Sequence, residues 1–197
     1  MSTSHALVCI GESVCEVDSA CVGVRATAIP IASPVFTSQS NITTSTNWPT
    51  NVGWYALASS NNGAYVEWKA FSGGGWYSVN AYDAVTGLVS SGSVAQWVQM
   101  QFPRAYKLMT YTIVIQGGDS GHHPTSWDVQ GSNDNMSFTT VQSDTQTTYT
   151  TKTFTVTAPH MPYRYWRFRF NSIYRRASIR NVGVGRIILN TEQYAYS

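Results

Sequence analysis

From residue 55 onward, apolar and polar positions alternate with a period of two, the repeat of a strand with one face buried. Residues 97–102 show it most strictly: Val98, Met100 and Phe102 share one face, Gln99 and Gln101 the other, and Pro103 is expected to end the strand. Residues 108–116 form the longest β-rich run, with Tyr111, Ile113 and Ile115 on one face. Trp127 and Val129 oppose Asp128 and Gln130. Trp166, Phe168 and Phe170 oppose Tyr165, Arg167 and Arg169. Further strands are predicted at 64–71, 137–142, 149–157 and 182–189, with Gly73, Gly74 and Gly75 as a hairpin turn. No segment sustains a helical period. Many short strands between glycine-rich turns predict an all-β sandwich or barrel.

The beginning of the chain reads differently. Residues 1–36 carry two short strand candidates, 6–10 and 22–31, and are assigned to an N-terminal arm or attachment segment. Residues 37–51 are polar and turn-prone, a linker or surface loop, and 52–197 form the sandwich. Cys9, Cys15 and Cys21 lie in the first segment. Their odd number excludes complete internal pairing, and their spacing is not that of a structural zinc site. They read as reduced thiols, a contact with a partner, or small packed apolar residues. Apolar strands such as 7–10 need cover, which favours a homo-oligomer or a larger assembly. The first residues lack the basic and apolar regions of a signal peptide, and no stretch is apolar for the length of a membrane span.

Composition sharpens this picture. The 197 residues are 43% hydrophobic and 13% aromatic, yet only 11% charged, against roughly 25% in typical soluble domains. Polarity comes from Ser, Thr, Asn and Gln, which suits hydrogen-bonding surfaces. A net charge of +2 gives no reason to expect nucleic acid. Of the twelve basic residues, seven are arginines between Arg164 and Arg186, and no acid falls between Asp144 and Glu192. These arginines either face solvent from a strand or form a face for an anionic partner.

Residues 124–134, Pro-Thr-Ser-Trp-Asp-Val-Gln-Gly-Ser-Asn-Asp, followed by Phe138-Thr139-Thr140-Val141, resemble the discoidin or coagulation-factor type C family of the galactose-binding-like superfamily. Ala81-Tyr82-Asp83, the strand at 97–103 and Tyr163-Arg164-Tyr165-Trp166-Arg167-Phe168 resemble its other elements in order and spacing. The resemblance covers roughly residues 50–190 and implies an antiparallel jelly-roll β-sandwich. It further implies loops at one end that recognise glycans, phospholipid headgroups or protein surfaces. Trp127, Gly131, Asn133, Asp134, Arg164 and Trp166 carry the motif. Gly131 is expected to allow tight or left-handed backbone, Asn133 and Asp134 to bond their own turn amides, and Arg164 to pair with Asp134 or Asp128. No cofactor is required. A structural calcium is implied near Asp83, where Asp83, backbone carbonyls and Glu192 would supply oxygen ligands, although Asp83 lacks the usual glycine-asparagine after it and otherwise reads as an ordinary turn aspartate.

No catalytic constellation is evident, because acids are few and scattered, so an enzyme is not expected. His122 and His123 beside Asp119 form either a metal site or a recognition loop, and adjacent side chains on extended backbone point apart. Sugar rings stack on aromatic faces while their hydroxyls seek amides and charges. The candidates are Trp48, Trp54, Tyr55, Trp76, Tyr77, His122 and His123, several of which must be core. The expected function is glycan binding by a non-enzymatic virion or extracellular surface protein, such as a phage tail or fibre component assembled in the cytoplasm. The alternative is a purely structural decoration or fibre-attachment protein whose partner is another virion protein.

Overall fold

The computed structural model describes residues 27–31, 54–116, 120–175 and 178–195, and all structural statements concern these. The strand expected at 6–10, the cysteines, Trp48, Asp119 and the segment 37–51 lie outside the described residues. Ten strands pair antiparallel throughout. One layer contains β2 (Tyr55–Ala58), the first part of β4 (Trp97–Val114), β8 (Tyr163–Ile173), β5 (Pro124–Ser132) and β6 (Thr139–Thr145). The other contains β1 (Thr27–Ile31), β10 (Arg186–Ala195), the second part of β4 and β7 (Lys152–Thr155). A two-stranded ribbon, β3 (Trp76–Tyr77) with β9 (Gly183–Val184), lies at one end. Of the sandwich and barrel that the alternation allows, this is the sandwich, antiparallel as the resemblance implies. β1 falls in the stretch assigned to the arm and pairs along β10.

Strand β4 joins the layers. Its residues 97–101 pair with β8, and its register shifts before Tyr106. Its residues 107–114 then pair with β10. Pro103 therefore does not end the strand. It sits in the shifted stretch, where the chain turns from one sheet to the other and no ladder donor is needed. Because β4 runs out in one layer and back in the other, its two ends meet at one pole of the sandwich.

The core fills the space between layers. Val98, Met100, Phe102, Trp127, Trp166, Phe168 and Phe170 from one sheet are fully buried. Leu108 and Tyr111 of the other are equally buried, with Ile113, Phe154, Ile187 and Leu189 nearly so. Each such side chain contributes about 1.5–3 kcal/mol by leaving water. The large rings also satisfy their polar atoms. Trp127 Nε1 donates to Tyr111 Oη across the layers at 2.8 Å, and Tyr111 Oη donates to Asp144 at 2.5 Å. Burial first, then the Asp144 carboxylate, pushes the Tyr111 phenol well above its usual range. Trp166 Nε1 donates to the Tyr106 carbonyl, and the Tyr82 hydroxyl to that of Phe170.

The strand expected at 64–71 is instead a tight turn followed by α1 (Lys69–Ser72). Lys69, Ala70 and Phe71 each bond the carbonyl three residues back, which places Ala70 and Phe71 in the core together. A run this short fits a helical turn as well as a strand. Gly73 closes α1 in the left-handed region, at φ 100°, so the glycine run is a helix cap and not a hairpin. No helix among the described residues is long and apolar enough to cross a membrane.

Replacing Tyr111 with Phe removes the acceptor for Trp127 and the donor to Asp144 inside the core. Tyr111→Phe is expected to lower stability by about 1–3 kcal/mol in urea unfolding, against less than about 0.5 kcal/mol for the peripheral Thr112→Val.

Candidate functional site

The pole where β4 begins and ends also receives the starts of β5 and β10, the end of β8 and the β3–β9 ribbon. The loops gathered there carry an aromatic and polar cluster. Tyr65 stands edge-on to Tyr77, with ring centroids 4.6 Å apart, and Tyr77 edge-on to His122 at 4.8 Å. Tyr65 is 38% exposed, and the other two rings are half-buried. The geometry has local causes. Tyr77 lies directly over Gly183, where a β-carbon would collide with its ring. Asn62 accepts from Tyr65 N through its carbonyl and donates its own N–H to the Tyr77 carbonyl, tying the turn to β3. His122 Nδ1 donates to the Asn181 carbonyl at 3.3 Å, and the Asn181 amide donates to the Ser78 carbonyl. Exposed Asn61 and half-buried Glu67, joined at 3.2 Å, flank Tyr65.

Tyr77 and His122 are thus the sequence candidates that the fold brings together. His123 turns the opposite way and is buried, stacked on Tyr174 at 5.2 Å and tilted against Tyr149 at 5.3 Å. The remaining candidates are elsewhere. Trp76 is fully buried, stacked on Phe170 at 5.9 Å, with Nε1 bonded to the Ser60 carbonyl. Tyr55 is buried in β2. Trp54 packs on Phe102 at 4.6 Å and near Tyr106, at the opposite pole by the β4 bend. Trp76 and Tyr55 are buried structural rings, and Trp54 is a half-buried ring packed against the core away from the loop cluster. Tyr65 was missed because residues 64–71 read as a strand. The signal that would have exposed it is Asn61-Asn62-Gly63, a turn sequence directly before it.

The recognised motif occupies the opposite pole. Trp127 and Trp166 are core. Gly131 is not left-handed. It is required because the Tyr163 ring lies against it and leaves no room for a β-carbon. Asp134 bonds its own turn, accepting from Met136 N, Ser137 N and Ser132 Oγ at 2.8 Å each. Asn133 instead spans to the neighbouring segment, accepting from Arg164 N and donating to the Pro162 carbonyl. Arg164 pairs with neither Asp134 nor Asp128: its Nε donates to the Phe102 carbonyl, and its guanidinium lies 5.8 Å from the Tyr165 ring. Asp128 is taken by Arg169 at 3.3 Å.

The carboxylates named for calcium do not fit one shared ion. Asp83 Oδ1 accepts from Val85 N, Thr86 N and Thr86 Oγ1, in a turn held to the end of β8 by the bridge from Leu88 to Ser172. Glu192 stands opposite Lys107, beside the β4 bend and the start of β8. No group of three or more His, Cys, Asp or Glu gathers among the described residues. Of the other described acids, Asp128 pairs with Arg169, Asp134 is held in its turn, Asp144 accepts from Tyr111 and Glu67 accepts from Asn61.

A family model described as the F5/8 type C domain matches residues 41–182. No curated protein matches the chain in sequence. Among solved structures, the family 32 carbohydrate-binding module of Clostridium perfringens NanJ, in complex with galactose, is 17% identical. It aligns over 71% of this chain and 93% of its own, with a TM-score of 0.52. A further family 32 module from C. perfringens, in complex with GalNAc-β-1,3-galactose, is 12% identical over 69% and 94%, with a TM-score of 0.51. A putative chitobiase fragment from Bacteroides thetaiotaomicron is 12% identical over 73% and 92%, with a TM-score of 0.58. At these identities the likeness concerns the fold.

The amides of Met136 and Ser137 and the Ser132 hydroxyl hold the Asp134 carboxyl at about 2, below the usual 3.8. Its contribution to stability is therefore complete above the usual value and lost as pH falls towards 2. Unfolding curves at pH 4, 3 and 2 are expected to show a shallower acid loss in Asp134→Asn than in the wild type.

Proposed function

The chain belongs to the F5/8 type C domain family, and we propose that it works as a non-catalytic glycan-binding module through the loop pole that carries Tyr65, Tyr77 and His122. The observation that carries this reading is the meeting of an exposed ring, a second half-buried ring and an oriented imidazole at one place, flanked by side-chain amides and Glu67. A pyranose presents an apolar face to an aromatic ring and hydroxyls to amide, carboxylate and imidazole partners, so one sugar residue engages both kinds of group. The Nδ1 bond to the Asn181 carbonyl makes that nitrogen the protonated one in the neutral ring, and holds His122 facing Tyr77 before ligand arrives.

Galactose-containing ligands of two fold neighbours make a galactoside the first probe. The module would do the same work on a virion fibre or on a secreted protein, because the cluster is complete within one chain. The rival reading, a subunit that makes only protein contacts, calls for aromatics that are wholly internal, and Tyr65 is not.

A glycan array followed by calorimetry tests this. Saturable binding to a galactoside is expected, weakened roughly tenfold, about 1.4 kcal/mol, by Tyr65→Ala and comparably by His122→Ala. Trp54→Ala, at the other pole, should leave affinity unchanged. An array without a saturable ligand, or affinity indifferent to Tyr65 and His122, contradicts the proposal.

A further inference from the structure

A different constellation lies on the outer surface of the layer built around β8, away from the loop pole. The registers of β4, β8 and β5 place Gln99, Arg167 and Gln130 in one row across that sheet. The Arg167 guanidinium carbon lies 3.5 Å from the centroid of the Phe138 ring and 4.0 Å from that of Trp97, so the cation is held between two aromatic faces. Its Nε and Nη2 both donate to Gln99 Oε1, at 3.1 and 2.9 Å. Gln99 is itself fixed, because its amide nitrogen donates to Asn135 Oδ1 at 2.6 Å. The residue is held from three directions before any ligand arrives.

What this arrangement lacks is an anion. Gln99 is neutral and occupies only the side edge of the guanidinium. No acceptor among the described residues lies on the end edge formed by Nη1 and the second Nη2 hydrogen. Asp128, the acid two positions along β5 from Gln130, is held by Arg169 and by Ser143 Oγ. Burial brings the Arg167 guanidinium down to about 10, and no neighbouring carboxylate offsets that loss of hydration. A partly desolvated cation without a counter-charge is costly unless a partner completes it. Arg167, Trp97 and Phe138 all remain partly exposed.

We infer that this face is a second binding site, in which the end edge of Arg167 takes the carboxylate of a uronic acid residue. The Phe138 and Trp97 rings both pack against the guanidinium, so the proposed approach of a ligand is along its end edge. A planar carboxylate matches the guanidinium plane and the two parallel N–H groups, which is the bidentate pairing that arginine favours. The neighbouring side-chain amides are Gln130 in the same row, whose Nε2 donates to Thr140 Oγ1 at 3.2 Å, and Asn135, whose Oδ1 accepts from Gln99. The site differs from the loop pole in place and in charge. A neutral galactoside has no carboxylate to offer Arg167.

Titration of the 15N-labelled full chain with digalacturonate, neutral galactobiose and acetate tests the inference on the wild-type protein. The Nε–H signal of Arg167 and the indole N–H of Trp97 are expected to move saturably with digalacturonate. They should move at least tenfold less at equal concentration with galactobiose or acetate. Arg167→Lys, which keeps charge but not the fork, should weaken the digalacturonate response more than tenfold and leave any loop-pole response to galactobiose intact. The inference is overturned if digalacturonate leaves both signals unmoved, if galactobiose moves them equally, or if acetate does so, which would reduce the site to one for small carboxylates. The loop-pole signals of Tyr77 and His122 report separately on the first site, so either site can fail alone.

Discussion

The architecture depends on β4 belonging to both layers. Its first part carries Val98, Met100 and Phe102 into one sheet and its second part Leu108, Tyr111 and Ile113 into the other. The turn between them, at Pro103, gives up ladder bonds that proline could not have made in full. Both ends of the strand consequently arrive at one pole. The short connections to β5, and the ribbon that leads into β10, then crowd their loops into the same place. The binding cluster is in this sense a by-product of sheet closure. Tyr65, Tyr77 and His122 come from three separate segments and meet because β4 returns to where it began.

The interior makes that frame rigid enough to position small groups. Trp127, Tyr111 and Asp144 form a hydrogen-bonded chain across the layers, and Trp76, Trp166 and Tyr82 each find a carbonyl. A large aromatic core tolerates such polar atoms only when they are paired. The same pairing removes Trp76, Trp127 and Trp166 from consideration as ligand contacts, so part of the aromatic abundance of the sequence goes into the core. Arg167 shows the complementary case on the outer face, an aromatic pair organised around a charge.

Much of this was legible in the sequence, where local periodicity decides the outcome. The alternation of Trp166, Phe168 and Phe170, and of Trp127 and Val129, assigned the inward faces of β8 and β5 correctly, and the motif around Gly131 and Asp134 marked the fold. Three features were not legible, each for a physical reason. Burial of Trp76 depends on Phe170, far away in sequence. Pro103 reads as a stop unless the pairing on both sides of it is known. Residues 64–71 are too short for their spacing to separate strand from helical turn. The polar side of β4 also misleads: Gln99 alternates as a surface residue would, yet is fully buried under the Asn135 loop and Arg167.

The central claim is that the loop pole, and not the Trp54 cluster beside the β4 bend, receives a neutral galactoside. A crystal structure of the protein soaked with a galactoside identified by array would test it most directly. The account predicts a pyranose seated against Tyr65 and Tyr77, with a hydroxyl within hydrogen-bond distance of His122. A sugar seated instead on Trp54 beside the β4 bend, with the Tyr65 loop empty, would contradict it.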